Sequence, residues 1–258
     1  MKKHLWIIYI VLMLLIFFFV SNAKKEAIGP NYAKSPWFVY HDQSSWMTNY
    51  KRIGGADRNS FVEVTKEGNY DSYAKDKNNV YYRTEKIAGA DPKTFSSLES
   101  SYGTSWAKDN NYVYFKGEVV SGADAKDQGE TLACGYYKDT KHVFFENRLV
   151  EEADPVTFIV RDNCLGTDDL NIFWKNMKVA GSSGFTIIGT DNDGYFRNKQ
   201  NVYFIKQIYA ANDYIDKAPV VLLEDANPVL FKEYPSYGKI FGDGIHFYSE
   251  GQEIQVKQ

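Results

Sequence analysis

The sequence predicts an all-β protein: tandem β-hairpin or meander repeats of about 30 residues, in a stacked or solenoid-like array with a closed propeller as the alternative, behind one N-terminal transmembrane helix. Three observations carry this. A string of the form Lys-Asp-x-x-x-Val-Tyr-Tyr recurs along the chain, a second string headed by Gly-Ala-Asp follows it, and one unbroken apolar run, Leu5 to Val20, opens the chain.

The apolar run comes first. Sixteen helical residues reach roughly 24 Å, short of the ~30 Å hydrocarbon core, and extension through Ser21-Asn22-Ala23 brings the length close. Residues 1–23 therefore read as a membrane anchor. Ser21-Asn22-Ala23 also supplies a small-x-small cleavage site, so a signal segment, with a secreted or periplasmic product, is the alternative. Lys2, Lys3 and the terminal amine on one side outweigh Lys24 and Lys25 on the other. That balance places the amino terminus inside, the protein in the inner membrane, and everything beyond residue 24 on the periplasmic or extracellular side. Residues 24–36 (KKEAIGPNYAKSP) read as a linker and 37–258 as the repeat domain.

The repeat string is clearest at Lys75 to Tyr82, Lys108 to Phe115 and Lys138 to Phe145, with weaker copies at Asp168 to Trp174, Arg197 to Phe204 and Asp243 to Phe247. Counted on Val80, Val113, Val143, Ile172, Val202 and Ile245, the intervals are 33, 30, 29, 30 and 43, and a degenerate copy reads upstream at His41 to Met47. Asp and Asn favour a turn, and the β-branched and aromatic residues after it favour a strand. Both faces of that strand are apolar, so it is expected between layers rather than half in water. Short polar pieces such as Arg83-Thr84-Glu85 and Lys116-Gly117-Glu118 then close hairpins, giving two or three strands per unit.

The second string reads Gly55 to Phe61, Gly89 to Phe95, Glu152 to Phe158 and Asp225 to Phe231, and Gly122-Ala123-Asp124 keeps its head without the Phe. Asp or Asn caps a single helical turn, and Pro at the next position has a preset φ and no amide to leave unpaired. The Phe four residues on is expected to plug the gap between successive repeats.

Composition sets the function classes. The 258 residues are 44% hydrophobic and 24% charged, which suits a folded chain. Without residues 1–23 the formal charge falls from −3 to −5, which argues against nucleic acid as a partner. The 20 Tyr and 17 Phe favour pleated structure over helix.

The string Asp76 to Tyr82, followed by Gly89 to Phe95, resembles the repeat of the bacterial DKNYY family over roughly residues 40–258. The resemblance implies an envelope or secreted repeat protein, without catalytic residues in its motif; some members resemble immunity partners of antibacterial toxins.

Among side chains that could carry chemistry, Cys134 and Cys164 stand one repeat length apart. Equivalent positions of stacked repeats come within disulfide range, but the two miss by one position, so a bond needs a loop or bulge to absorb the slip. Two buried thiols are the alternative. His41, His142 and His246 occupy repeat positions and read as structural. Asp191-Asn192-Asp193-Gly194 reads as a turn, because the place where a calcium loop needs Glu is Val202. No cofactor or metal is expected, and no nucleophile or phosphate motif occurs. The aromatics outside the repeat are the binding candidates: Trp37, Phe38 and Tyr40 at the entrance, and Tyr209, Tyr214, Tyr234 and Tyr237 around the insertion Tyr209 to Pro219. Together these features predict a membrane-anchored, non-catalytic binding protein. Its partner is expected to be a protein, in the sharpest form an antibacterial toxin. Carbohydrate or cell-wall binding is the competing reading, and an envelope hydrolase the third.

Overall fold

A computed structural model describes residues 9–16, 24–43, 49–65, 72–98, 105–161, 164–181, 185–189, 194–205 and 220–255. Among these the strands form seven four-stranded antiparallel sheets in tandem, each an open run of consecutive strands. The all-β repeat reading holds. Each repeat has four strands, however, not two or three. Most of its strands are only two to four residues long, well under the usual five or six, so four of them and their turns fit into about 30 residues.

The second sheet shows the pattern: Val62–Glu63, Tyr73–Lys75, Val80–Tyr82 and Glu85–Lys86. Its two middle strands pair Tyr73 with Tyr82, Ala74 with Tyr81 and Lys75 with Val80. Val80 and Tyr81 are both buried, as are Val113 with Tyr114 and Val143 with Phe144, so the third strand is covered on both faces. Two-residue turns close the last hairpin of several sheets, with Arg83, Lys116 and Glu146 at positive φ. Such turns match the right-handed twist of the strands they join. Gly117 follows Lys116 at φ +84, and a Cβ there would stand 2.7 Å from Cβ of Tyr82.

The first sheet corrects the reading of the entrance. Glu26–Ala27 and Tyr32–Lys34 are its first two strands, followed by Val39–Asp42 and Tyr50–Arg52. The stretch expected as a linker is thus largely folded. The upstream repeat copy is Lys34 to His41, with Val39 and Tyr40 where Val80 and Tyr81 stand in the second sheet. At the other end, Phe247 pairs with Gly242 in the place of Val80, and Ile245 lies in the turn before it. The register slipped at both ends because Ser35 replaces the Asp in the first copy and a β-branched residue entered the turn in the last.

Two compact units divide the chain, Met1–Val119 with the first three sheets and Val120–Gln258 with the other four. Within the first, Phe61 packs between Tyr32 and Tyr81 at ring distances of 5.3 and 5.5 Å, and Phe95 between Tyr73 and Tyr114 at 5.4 and 5.5 Å. Within the second, Phe158 lies between Tyr136 and Phe173, and Phe231 between Tyr195 and Tyr248. The plug expected of this Phe is present in each case. Tilted ring pairs at these distances add to the gain from burial.

Of the expected anchor, residues 9–16 are helical, with exposed apolar side chains from Tyr9 to Ile16. The rest of it lies outside the described residues, among which no helix is long and apolar enough to cross a membrane.

Candidate functional site

Each repeat string folds into a turn whose first residue is a buried acceptor. Asp76 Oδ1 accepts the amides of Asn78 and Asn79 at 2.7 and 2.8 Å, and Asp109 Oδ1 those of Asn111 and Tyr112 at the same distances. The pair of bonds recurs at Asp139, Asp168 and Asp243.

The second oxygen accepts an amide from the Gly-Ala-Asp type turn by which the chain enters that sheet. Asp57 donates to Asp76 and Asp91 to Asp109, both at 2.8 Å. Asp124 donates to Asp139 and Asp154 to Asp168 at 3.0 Å, and Asn227 donates to Asp243 at 2.8 Å. The first and sixth sheets have no such string before them, and there the acceptor is Ser35 or Asn198, which offers one oxygen to its own turn. Carboxylate appears where two oxygens have work and not elsewhere.

Burial alone would raise the carboxyls of Asp76, Asp109 and Asp243, but the amides of the entry turn and of the local turn outweigh it. Asp76 and Asp109 are held below the usual carboxylate range, and Asp243 at about 2. Tyr81 and Tyr114 donate their hydroxyls to the same second oxygens at 2.7 and 2.8 Å; burial first, then the neighbouring carboxylate, pushes both phenols far up.

Other repeat side chains cross from sheet to sheet. The hydroxyl of Tyr32 donates to the Ser72 carbonyl, Tyr73 to Ser105 and Tyr136 to Lys175, and Tyr195 accepts the Gly251 amide. Lys75 and Lys138 reach the carbonyls of the plug residues Phe95 and Phe158. The polar signature of the repeat is therefore occupied in holding turn to turn and sheet to sheet.

Chemistry for a partner must come from the departures. In the second unit an open cleft of about 700 Å³ is lined by Asp127, Gln128, Glu130, Lys138, Thr140 and Val156, among others. The entry turn beside it lacks the plug Phe. In other entry turns a hydroxyl of Ser60, Thr94 or Thr157 accepts an amide of the following repeat turn. Here Asp127 does so, taking the Thr140 N–H at 2.6 Å; the Thr140 side chain first, then this amide, holds its carboxyl below the usual range. Lys138 faces Glu130 at 3.4 Å. Cleft walls of carboxylate, one lysine and an exposed valine suit an amphipathic, cationic segment.

A second departure was missed in the sequence. The position two residues after the repeat acceptor is the turn tip: Asn78, Asn111, Lys141 and Gln200 in the second, third, fourth and sixth sheets, but Leu170 in the fifth and Ile245 in the seventh. The matching position of the entry turn changes from Asn59, Lys93 and Lys126 to Val156 and Val229. Ile245 is 77% exposed, Val156 84% and Val229 76%. The signal was this switch at a fixed repeat position, legible only once the register was known.

The expected aromatics fall as follows. Trp37, 53% exposed, is the turn tip of the first sheet. Phe38 is half-buried beneath the Arg52 guanidinium, 3.6 Å from the ring centre. Tyr40 is buried in its strand, near the Lys25 ammonium and Tyr50. Tyr234 is half-buried against Phe247. Tyr237 ends the short helical turn Pro235–Tyr237. Tyr209 and Tyr214, with the rest of the insertion Tyr209 to Pro219 and Asp191 to Asp193, lie outside the described residues.

Cys134 and Cys164 form a disulfide with Cα atoms 5.6 Å apart. The one-residue slip is absorbed as expected: Ala133–Gly135 forms a tight turn, and both cysteines adopt positive φ. His41 is buried with Nε2 2.7 Å from the Ser72 hydroxyl, and His142 and His246 sit beside Asp139 and Asp243. Among the described residues no group of His, Cys, Asp and Glu is placed to hold a metal ion.

A model of the DKNYY family matches residues 32–127 and 106–252. No curated protein and no solved structure matches the chain.

Proposed function

The chain belongs to the DKNYY family, and from that premise we propose that it is a non-catalytic binding protein of the cell envelope. Residues 1–23 hold it in the inner membrane, the repeat domain stands on the periplasmic or extracellular side, and the partner is another protein. The observation that carries the reading is the change from polar to aliphatic residues at the turns of the fifth and seventh sheets, Val156, Leu170, Val229 and Ile245, with Val156 also lining the carboxylate-walled cleft. Exposed aliphatic groups next to charge are what a protein surface covers. A sugar site would call for two or three exposed rings flooring a groove, and the cleft offers carboxylates and an aliphatic wall. The sharpest form of the reading, following the family likeness, is an immunity or inhibitor protein that captures a toxin.

Photo-crosslinking in intact cells tests the binding role. A crosslinker at Val156 or Ile245 should capture one dominant protein, and the same probe at Asn78 should not. Equal, diffuse labelling at all three positions would refute a specific partner. Co-expression with the neighbouring reading frame tests the immunity form: the chain should restore growth that the neighbour arrests, and Val156→Asp should weaken the rescue.

A further inference from the structure

We propose that the first sheet lies against the anionic phospholipid surface of the membrane that holds the N-terminal segment, with Trp37 in the headgroup layer and Lys24, Lys51 and Arg52 on lipid phosphates. The proposal rests on the reading of residues 1–23 as an anchor and adds an orientation to it.

Three observations point the same way. The first is chain length. The apolar run ends at Val20 and the first strand begins at Glu26. Six residues span at most roughly 20 Å when fully extended, and part of that is taken up in crossing the headgroup layer. With the intended linker folded into the sheet, no spacer remains to lift this sheet away from the bilayer.

The second is charge. Residues 24–58 carry six Lys and Arg against three Asp and Glu, whereas residues 59–258 have a formal charge of −8. Lys24, Lys51 and Arg52 are exposed. A basic end beside the anchor and an acidic remainder is the polarity that an anionic surface selects, because attraction acts within a Debye length of the lipid and repulsion turns the remainder away.

The third is the side chain at the tip. The acceptor of this turn, Ser35, binds the amides of Trp37 and Phe38, so Trp37 stands where the second and third sheets carry Asn78 and Asn111. Indole is the side chain most at home at the membrane–water boundary, with an apolar ring and one N–H for the headgroups. Beside it, Arg52 lies over the Phe38 ring, a cation held on an apolar base.

The test uses the full chain reconstituted in vesicles that contain a lipid with a brominated acyl chain, which quenches nearby indole. Trp6, inside the apolar run, reports whether the segment inserts; Trp37 reports on the sheet, each read from the difference between wild type and Trp6→Phe or Trp37→Phe. The expected result is quenching of both in vesicles containing phosphatidylglycerol, with the Trp37 share falling roughly twofold or more in phosphatidylcholine alone or in Lys51→Glu/Arg52→Glu. Quenching of Trp6 without Trp37 overturns the proposal and leaves the anchor intact. Quenching of neither overturns both. Trp37 quenched equally with and without phosphatidylglycerol overturns the anionic assignment.

Discussion

One carboxylate oxygen of Asp109 accepts the backbone N–H of Asp91 at 2.8 Å, tying the turn that enters the third sheet to the turn at its centre. The other oxygen is engaged by Asn111 and Tyr112. Asp109→Ala leaves these amides and the Tyr114 hydroxyl to find water from a buried position, and the loss should be on the order of 4 kcal/mol. Asp109→Asn keeps one acceptor oxygen, as Asn198 does naturally in the sixth sheet, and should lose about half as much. Urea denaturation of the two variants measures the difference. An Asp109→Asn variant as stable as wild type would show that the tie between turns contributes nothing.

Phe95 touches Tyr73 on one side and Tyr114 on the other. Phe95→Ala removes the plug between the second and third sheets and should cost about 3–5 kcal/mol, whereas Phe95→Leu, which keeps most of the volume, should cost under about 2. A thermal melt followed by near-ultraviolet circular dichroism reports it through the tyrosines packed around that ring. Comparable melting of Phe95→Ala and wild type would mean that the neighbouring rings close the gap by themselves.

These two residue types also show what the sequence made legible. The Phe position and the strand after Asp76 could be read directly, because turn chemistry and alternation repeat in three clear copies. Strand count could not: a two-residue strand such as Val62–Glu63 has no period to detect, and its pairing is settled by the neighbouring strand Tyr73–Lys75. The end copies were misread for the same physical reason. Ser35 does the work of Asp76 with one oxygen, and nothing in its identity reveals this until the amides of Trp37 and Phe38 are seen on it. Ile245 looked like a strand residue because β-branched side chains prefer strands, yet its turn is fixed by Asp243. Trp37 was legible as a candidate. Val156 and Val229 were not, since an isolated valine carries no signal without its register.

The Cys134–Cys164 bond joins positions 30 residues apart in the second unit. Closing a loop of that length restricts the unfolded chain by about 3–4 kcal/mol in the chain-entropy account. Cys134→Ser/Cys164→Ser should lower the urea midpoint accordingly, and reductant should shift wild type to the same value while leaving the double variant unmoved. A reductant effect of similar size on both would place the loss elsewhere.

Acid should unfold the protein in two separable stages. His41 is buried beneath Tyr32 and hydrogen-bonds Ser72. Burial, then the nearby Arg83 with Lys51, outweighs the opposing Asp42 and lowers its imidazole from 6.5 to about 4. The unfolded chain therefore takes up a proton that the folded chain refuses. Stability from this group is complete above pH 6.5 and is lost as pH falls toward 4, by on the order of 2 kcal/mol after allowance for solvent screening. Asp243 acts in a lower window. Its carboxyl is held at about 2 in the folded chain against 3.8, so its contribution persists above 3.8 and disappears as pH falls through 2. His41→Gln, which is neutral throughout and can still bond the Ser72 hydroxyl, should flatten the urea midpoint between pH 6.5 and 4 and leave the steeper fall below 4 unchanged. A variant that retains the full slope in the upper window would show that the imidazole is not the group refusing the proton.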